Sequence, residues 1–92
     1  MVYQITDYTI QKAKQLGVAV THSSNAKKKL DVFKSGKKVA SIGAVGYKDY
    51  PTYIKVDGKE YAKERRKLYK KRHAKDLKNV GSNGWYANQL LW

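Results

Sequence analysis

The sequence predicts a small α+β domain: a helix, a three-stranded antiparallel sheet, a long basic helix and a short C-terminal helix. Residues 1–92 are expected to fold as one unit. Three observations carry this. A chain of 92 residues has material for one core and not two. Short β-branched runs separated by Gly- and Ser-containing turns fill residues 18–46. From residue 59 a stretch free of Gly and Pro, rich in Lys, Arg, Glu, Ala and Leu, reads as helix to about residue 79.

Each element has local support. Thr6 is placed to cap a helix over 7–16, with Asp7 on the favourable end of its dipole and Gly17 as its C′ residue. Ile5 and Ile10 have the spacing of a hydrophobic staple. Val18 to Thr21 reads as a short strand before the polar turn Ser23-Ser24-Asn25. Residues 30–34 and 38–42 flank Ser35-Gly36-Lys37, a hairpin pattern in which Gly supplies positive φ. Alternation sets Ala40 and Ile42 on one face, Val39 and Ser41 on the other. Residues 47–53 read as an extended, tyrosine-rich loop around Pro51, and Asp57-Gly58 as a turn. Gly81 ends the long helix, and Ser82 or Asn83 caps a last helix over 85–91. That helix is too short to persist alone and must dock through Trp85, Leu90, Leu91 or Trp92.

The chain has no cysteine, so disulfides, thiolate zinc sites and cysteine nucleophiles are excluded. Met1 to Leu16 carries no apolar run of signal-peptide length, and no uncharged stretch approaches the roughly 20 residues that span a bilayer. The expectation is a non-secreted protein without a membrane partner. Twenty Lys and Arg face seven Asp and Glu, a formal charge of +13. The excess divides almost evenly between the two halves of the chain, so it is no appended basic tail. Such a surplus implies a polyanionic partner, most simply nucleic acid, DNA before RNA.

On a helical wheel, Tyr61, Ala62, Leu68 and Tyr69 share one side of the long helix. Lys63, Lys67, Lys70, Lys71, Lys75 and Lys78 form a ridge on the other, with Arg66 at its edge. A lysine ridge is either a solvated face or a contact for phosphates. Arg65, Arg72 and Asp76 fall in the inward stripe with His73 on its margin, an unusual placement because unpaired buried charge is costly. One reading is an internal network in which Arg72 pairs with Asp76 and Arg65 stacks on Tyr61 or Tyr69 or reaches Asp49. The other is a recessed phosphate pocket lined by Arg65, Arg72 and His73. Asp76 favours the network, since a carboxylate repels phosphate.

Tyr47, Tyr50 and Tyr53 lie three apart among lysines, and an extended path would set them on one side as a stacking platform for single-stranded bases. The alternative is a core role with hydroxyls at the surface. Tyr50 or Tyr53 is expected inside and at least one of the three outside.

Catalytic material is thin. His22 and His73 have no metal-ligand spacing, and Gly43 to Gly46 lacks the Lys of a phosphate loop. A nuclease would need a Tyr, an Arg, His73 and a carboxylate such as Glu60 or Glu64 around a hard cation. No catalytic residue, metal site or cofactor is predicted.

Four blocks of the chain resemble a family of short, basic, uncharacterised proteins of large DNA viruses and phages. They are Asp31-Val32-Phe33 with the segment from Gly36 to Gly43; Gly46-Tyr47 with Asp49 to Tyr53; Glu64-Arg65-Arg66 with Leu68-Tyr69-Lys70, Arg72-His73 and Asp76; and Gly81-Ser82 with Trp85-Tyr86-Ala87 and Leu90-Leu91-Trp92. Tyr8 to Gly17 matches more loosely. The resemblance implies a viral protein of the virion or infected cell and transfers no catalytic residue. The expected function is nucleic-acid binding of low sequence specificity. Its rivals are a structural virion or capsid-associated protein and a metal-dependent nuclease.

Overall fold

The computed structural model describes residues 4–92; the first three residues of the segment scanned for a leader lie outside it. The chain folds as helix α1 (Asp7–Leu16), strands β1 (Ala19–His22), β2 (Lys28–Lys34) and β3 (Lys37–Ala44), then helices α2 (Tyr50–Asp57), α3 (Lys59–Arg72) and α4 (Asn83–Leu90). A 3-10 turn at Ala74–Lys78 separates the last two. The α+β class and the three-stranded antiparallel sheet are as expected; the strands lie in the order β1-β2-β3.

The local caps explain where elements start and stop. Thr6 accepts a hydrogen bond from the Thr9 amide, and Gly17 ends α1 in the left-handed region at φ 73°. Ser82 caps α4 through the Trp85 amide. The β2–β3 turn is tighter than expected, because Lys37 joins β3 and pairs with Lys34. That leaves Ser35 and Gly36 as a two-residue turn at φ 53° and 79°, whose twist matches the flanking strands.

The pairing Val20–Val32–Ala40 and Leu30–Ile42 sets one apolar face of the sheet. Leu30, Val32, Ala40 and Ile42 are buried there with Ala13 of α1 and Tyr86, Leu90 and Leu91 of the C-terminal segment. Val39 sits on the other side of the alternation, partly exposed. The Thr9 hydroxyl donates to the Leu90 carbonyl at 2.9 Å, locking α1 to the end of α4. The Tyr50 amide donates to the Leu91 carbonyl at 2.9 Å, so α2 starts against the same segment. Gly43 is held at φ 78°, and a Cβ there would lie 2.9 Å from Leu91 Cδ1 and from Lys29 Cδ. Only glycine lets the C-terminal segment approach β3 this closely.

The opposite face carries a buried carboxylate. Asp31 is 4% exposed and accepts from the Ser23 and Ser41 hydroxyls at 2.7 Å each and from the Ser24 amide at 3.3 Å. The Ser41 bond, then that of Ser23, holds its pKa down to about 2, with help from the Ser24 amide and Lys38 and against the opposing effect of burial. A depressed carboxylate pKa stabilises the fold above the unfolded value and is lost as pH falls through the folded one. Asp31→Asn should therefore lose about 2 kcal/mol at pH 7 in urea melts. Relative to the parent the deficit should shrink between about pH 4 and pH 2, to a few tenths of a kcal/mol. An equal deficit at both ends would assign the loss to packing.

Two expectations are corrected. Residues 50–57 are helical, not an extended loop, because Asp49 caps the helix by accepting from the Thr52 amide and Pro51 suits the first turn. The long helix stops at Arg72, not near residue 79. His73 leaves helical geometry at ψ 26°, its ring stacks on Tyr69 at 4.3 Å, and its Nδ1 lies 3.2 Å from Asp76 Oδ2. Those contacts draw residues 74–78 into a separate 3-10 turn.

Candidate nucleic-acid interface

Helix α3 presents Lys59, Lys63, Lys67 and Lys71 to solvent at four-residue intervals, with Arg72 exposed at its end. At 1.5 Å per residue this row runs about 18 Å. Lys63, Lys67 and Lys71 lie where the wheel placed them; Lys59 continues their spacing one step earlier and was legible in it. Lys75 and Lys78 are exposed, but on the 3-10 turn, out of line with the α3 row.

The packed side of α3 is turned partly away from the expected one: Ala62, Arg65 and Tyr69 lie inward as the wheel placed them, but Tyr61 and Leu68 do not. Ala62 is buried, Arg65, Arg66, Tyr69 and Lys70 are half-buried, and Tyr61 and Leu68 are each 49% exposed. The helix turns toward Arg65, Arg66 and Lys70 because aromatic and amide partners wait for them. The Arg66 guanidinium lies 4.6 Å over the Tyr50 ring, and that of Arg65 5.7 Å over Tyr53. Lys70 Nζ donates to Asn88 Oδ1 at 2.7 Å, and burial, then Arg66 and Lys12, push its pKa down. Lys70 and Arg66 are thus parts of the helix seam, not of the outer ridge.

The three tyrosines of the segment 47–53 do not share a side. Tyr47 is 75% exposed, whereas Tyr50 is buried against Tyr8 at 5.4 Å and out of reach of a base. Tyr53 is half-buried between Tyr61 and Trp92. Helix α2 sets Tyr50 and Tyr53, three apart, on its packed face and leaves Tyr47 in the loop before it.

Arg65, Arg72 and His73 do converge. They line a cavity of about 380 Å³ together with Lys28, Lys29 and Lys48, the aromatic rings of Tyr47, Tyr53, Tyr69 and Trp92, and Asn83 and Gly84 at the start of α4. Trp92 lies flat on Tyr69, 4.2 Å between centroids at 6°, so His73, Tyr69 and Trp92 form a continuous column. Burial raises the Tyr69 pKa, with Asp76 adding to it and Arg72 opposing. Arg72 does not pair with Asp76, because the helix ends between them and His73 takes the carboxylate. Arg65 does not reach Asp49 either. Asp49 is 1% exposed and lies 3.4 Å from Lys29 Nζ, which also donates to the Tyr47 carbonyl. Asp76 does not line the cavity; its carboxylate abuts Gly84, where a Cβ would fall 2.4 Å from Asp76 Cγ.

The lysines, Trp92 and the α4 residues of this cavity were absent from the sequence-level site. They come from β2, the loop after β3 and the C-terminal segment, and no local pattern links them. Among the described residues no three His, Asp or Glu side chains gather where they could hold a metal ion, and Glu60 and Glu64 are exposed on α3. No helix among them is long and apolar enough to cross a membrane. Neither family models, curated proteins nor solved structures offer a match to this chain.

Proposed function

We propose that this chain is a non-enzymatic nucleic-acid-binding domain that contacts the phosphate backbone with little regard for sequence. The observation that supports it best is how the acids are used. Asp31 and Asp49 are buried in hydrogen bonds, Asp76 is held by His73, and Asp57 accepts from Lys48 at 2.8 Å. Asp7, Glu60 and Glu64 are left as exposed acids without an ion pair among the described residues. Against them stand the α3 row and exposed lysines on α1, the β2–β3 hairpin, α2 and the 3-10 turn, a surface more one-sided than the composition suggests. Tyr47 adds an exposed ring for stacking beside the cavity mouth. The resemblance to short basic viral proteins fits a role on a viral genome.

The row is tested by replacing it. Lys63→Ala/Lys67→Ala/Lys71→Ala touches only exposed positions, so the thermal midpoint should hold while affinity for duplex and single-stranded DNA falls on the order of 10²-fold at about 100 mM salt. Unchanged affinity would move the contact elsewhere and remove α3 from it.

A further inference from the structure

We propose that the cavity between α3, α4 and the end of β3 binds a phosphate monoester carried on a nucleoside, so that the domain holds a phosphorylated strand end and not only a backbone. This rests on the nucleic-acid reading above and narrows it.

Four observations point to that ligand. First, size: about 380 Å³ lies near the lower end of small-ligand sites, roughly 300–1,000 Å³, with room for one nucleotide and not a run of them. Second, charge: Lys28, Lys29, Lys48, Arg65 and Arg72 line it; Asp49 engages Lys29 and Asp57 engages Lys48, which leaves Lys28 and the two arginines to face a ligand. Arg65 and Arg72 have no Asp or Glu partner among the described residues. A terminal phosphate carries about −1.5 to −2 near neutral pH, whereas a backbone diester carries one charge, so this surplus matches the monoester better.

Third, the Arg65 Nε is buried and makes no hydrogen bond. An unanswered buried donor is costly, and a guanidinium edge is shaped for two oxygens of one phosphate. Arg65 lines the cavity, so a phosphate there would meet this guanidinium. Fourth, the first turn of α4 contributes Asn83 and Gly84 to the wall. The opening amides of a helix lack intrahelical acceptors and carry partial positive charge. Asp76 does not line the cavity; His73 holds its carboxylate, which abuts Gly84 on that same first turn. Tyr47 at the rim is left to stack on the base.

The ligand could be a strand end or a free nucleotide, and one experiment separates them. Fluorescence anisotropy compares oligothymidylates with 5′-phosphate, 3′-phosphate and hydroxyl ends, with thymidine monophosphate as competitor. The indole N–H resonance of Trp92 reports whether the cavity is the place. A phosphorylated end should bind about tenfold tighter than a hydroxyl end and shift Trp92. Arg65→Gln and, at an exposed position that leaves packing alone, Arg72→Gln should each erase most of that preference. The triple lysine variant should weaken all strands and keep the ratio. Competition by the mononucleotide at similar concentration assigns free nucleotide as a ligand, and failure to compete assigns the strand end. Equal binding of all ends with Trp92 unmoved overturns the pocket and leaves backbone binding standing. Loss of every strand while the mononucleotide still shifts Trp92 overturns backbone binding and leaves the pocket.

Discussion

Raising salt from 50 to 200 mM should cost this domain on the order of 10³-fold in affinity for nucleic acid, if about six phosphates are engaged. Six is a count the surface can supply. Lys59, Lys63, Lys67 and Lys71 form one row, Arg72 closes it, and the cavity cations lie beside that end. A row of about 18 Å runs past about five phosphates of one duplex strand. Each neutralised phosphate contributes about 0.9 to the slope of log affinity against log salt, through released counterions. Removing Lys63, Lys67 and Lys71 should then lower the slope by about 2.7, which separates lost contacts from general damage. Glu60 and Glu64 sit among these lysines and leave the row uneven, so neutralising them should strengthen binding. Weak, salt-independent binding would remove the nucleic-acid reading and leave a structural virion role ahead of it.

Asp49→Ala should cost about 3–5 kcal/mol, a third or more of the stability of a typical small domain. The carboxylate is 1% exposed and, among its contacts, accepts from Lys29 Nζ at 3.4 Å, the Thr52 amide at 3.1 Å and the Thr52 hydroxyl at 2.6 Å. Its loss strips the cap from α2, worth about 1 kcal/mol, and leaves Lys29 charged at 6% exposure. The larger part comes from taking the carboxylate away from a buried ammonium. Replacing both partners, Lys29→Met with Asp49→Leu, should recover most of the loss, because it removes the charges together. Urea unfolding of the two variants decides it. A single-site loss below about 1 kcal/mol would mean that water reaches the pair in solution.

The +13 charge pointed to a polyanion and could not say which cations meet it. Lys29 and Lys70 carry their charge inside, one on Asp49 and the other on Asn88. Arg65 and Arg72 were read as core-facing, and they border a cavity open to solvent. An Arg–Asp network of the kind weighed from the sequence is absent from that stripe; His73 and Asp76 form the contact instead.

Much of the fold was legible because its signals are local. Thr6, Gly17, Gly36 and Ser82 act through hydrogen bonds and backbone torsions within a few residues, and strand alternation needs only neighbours. The same local chemistry held a missed signal, Asp49 two positions before Pro51, which starts α2. The face that α3 buries was legible only in part: Ala62, Arg65 and Tyr69 lie inward as read, Tyr61 and Leu68 do not. Tyr, Arg and Lys all join an apolar body to a polar tip, so a wheel built from them has two credible inner sides. Trp92, Tyr53 and Asn88, from distant segments, decide between them by offering a ring or an amide to one side. The sequence by itself determined most of the elements, their order and the sign of the surface, but not helix α2 or the end of α3. Only the tertiary structure decided which cations share a cavity, because that choice depends on partners far apart along the chain.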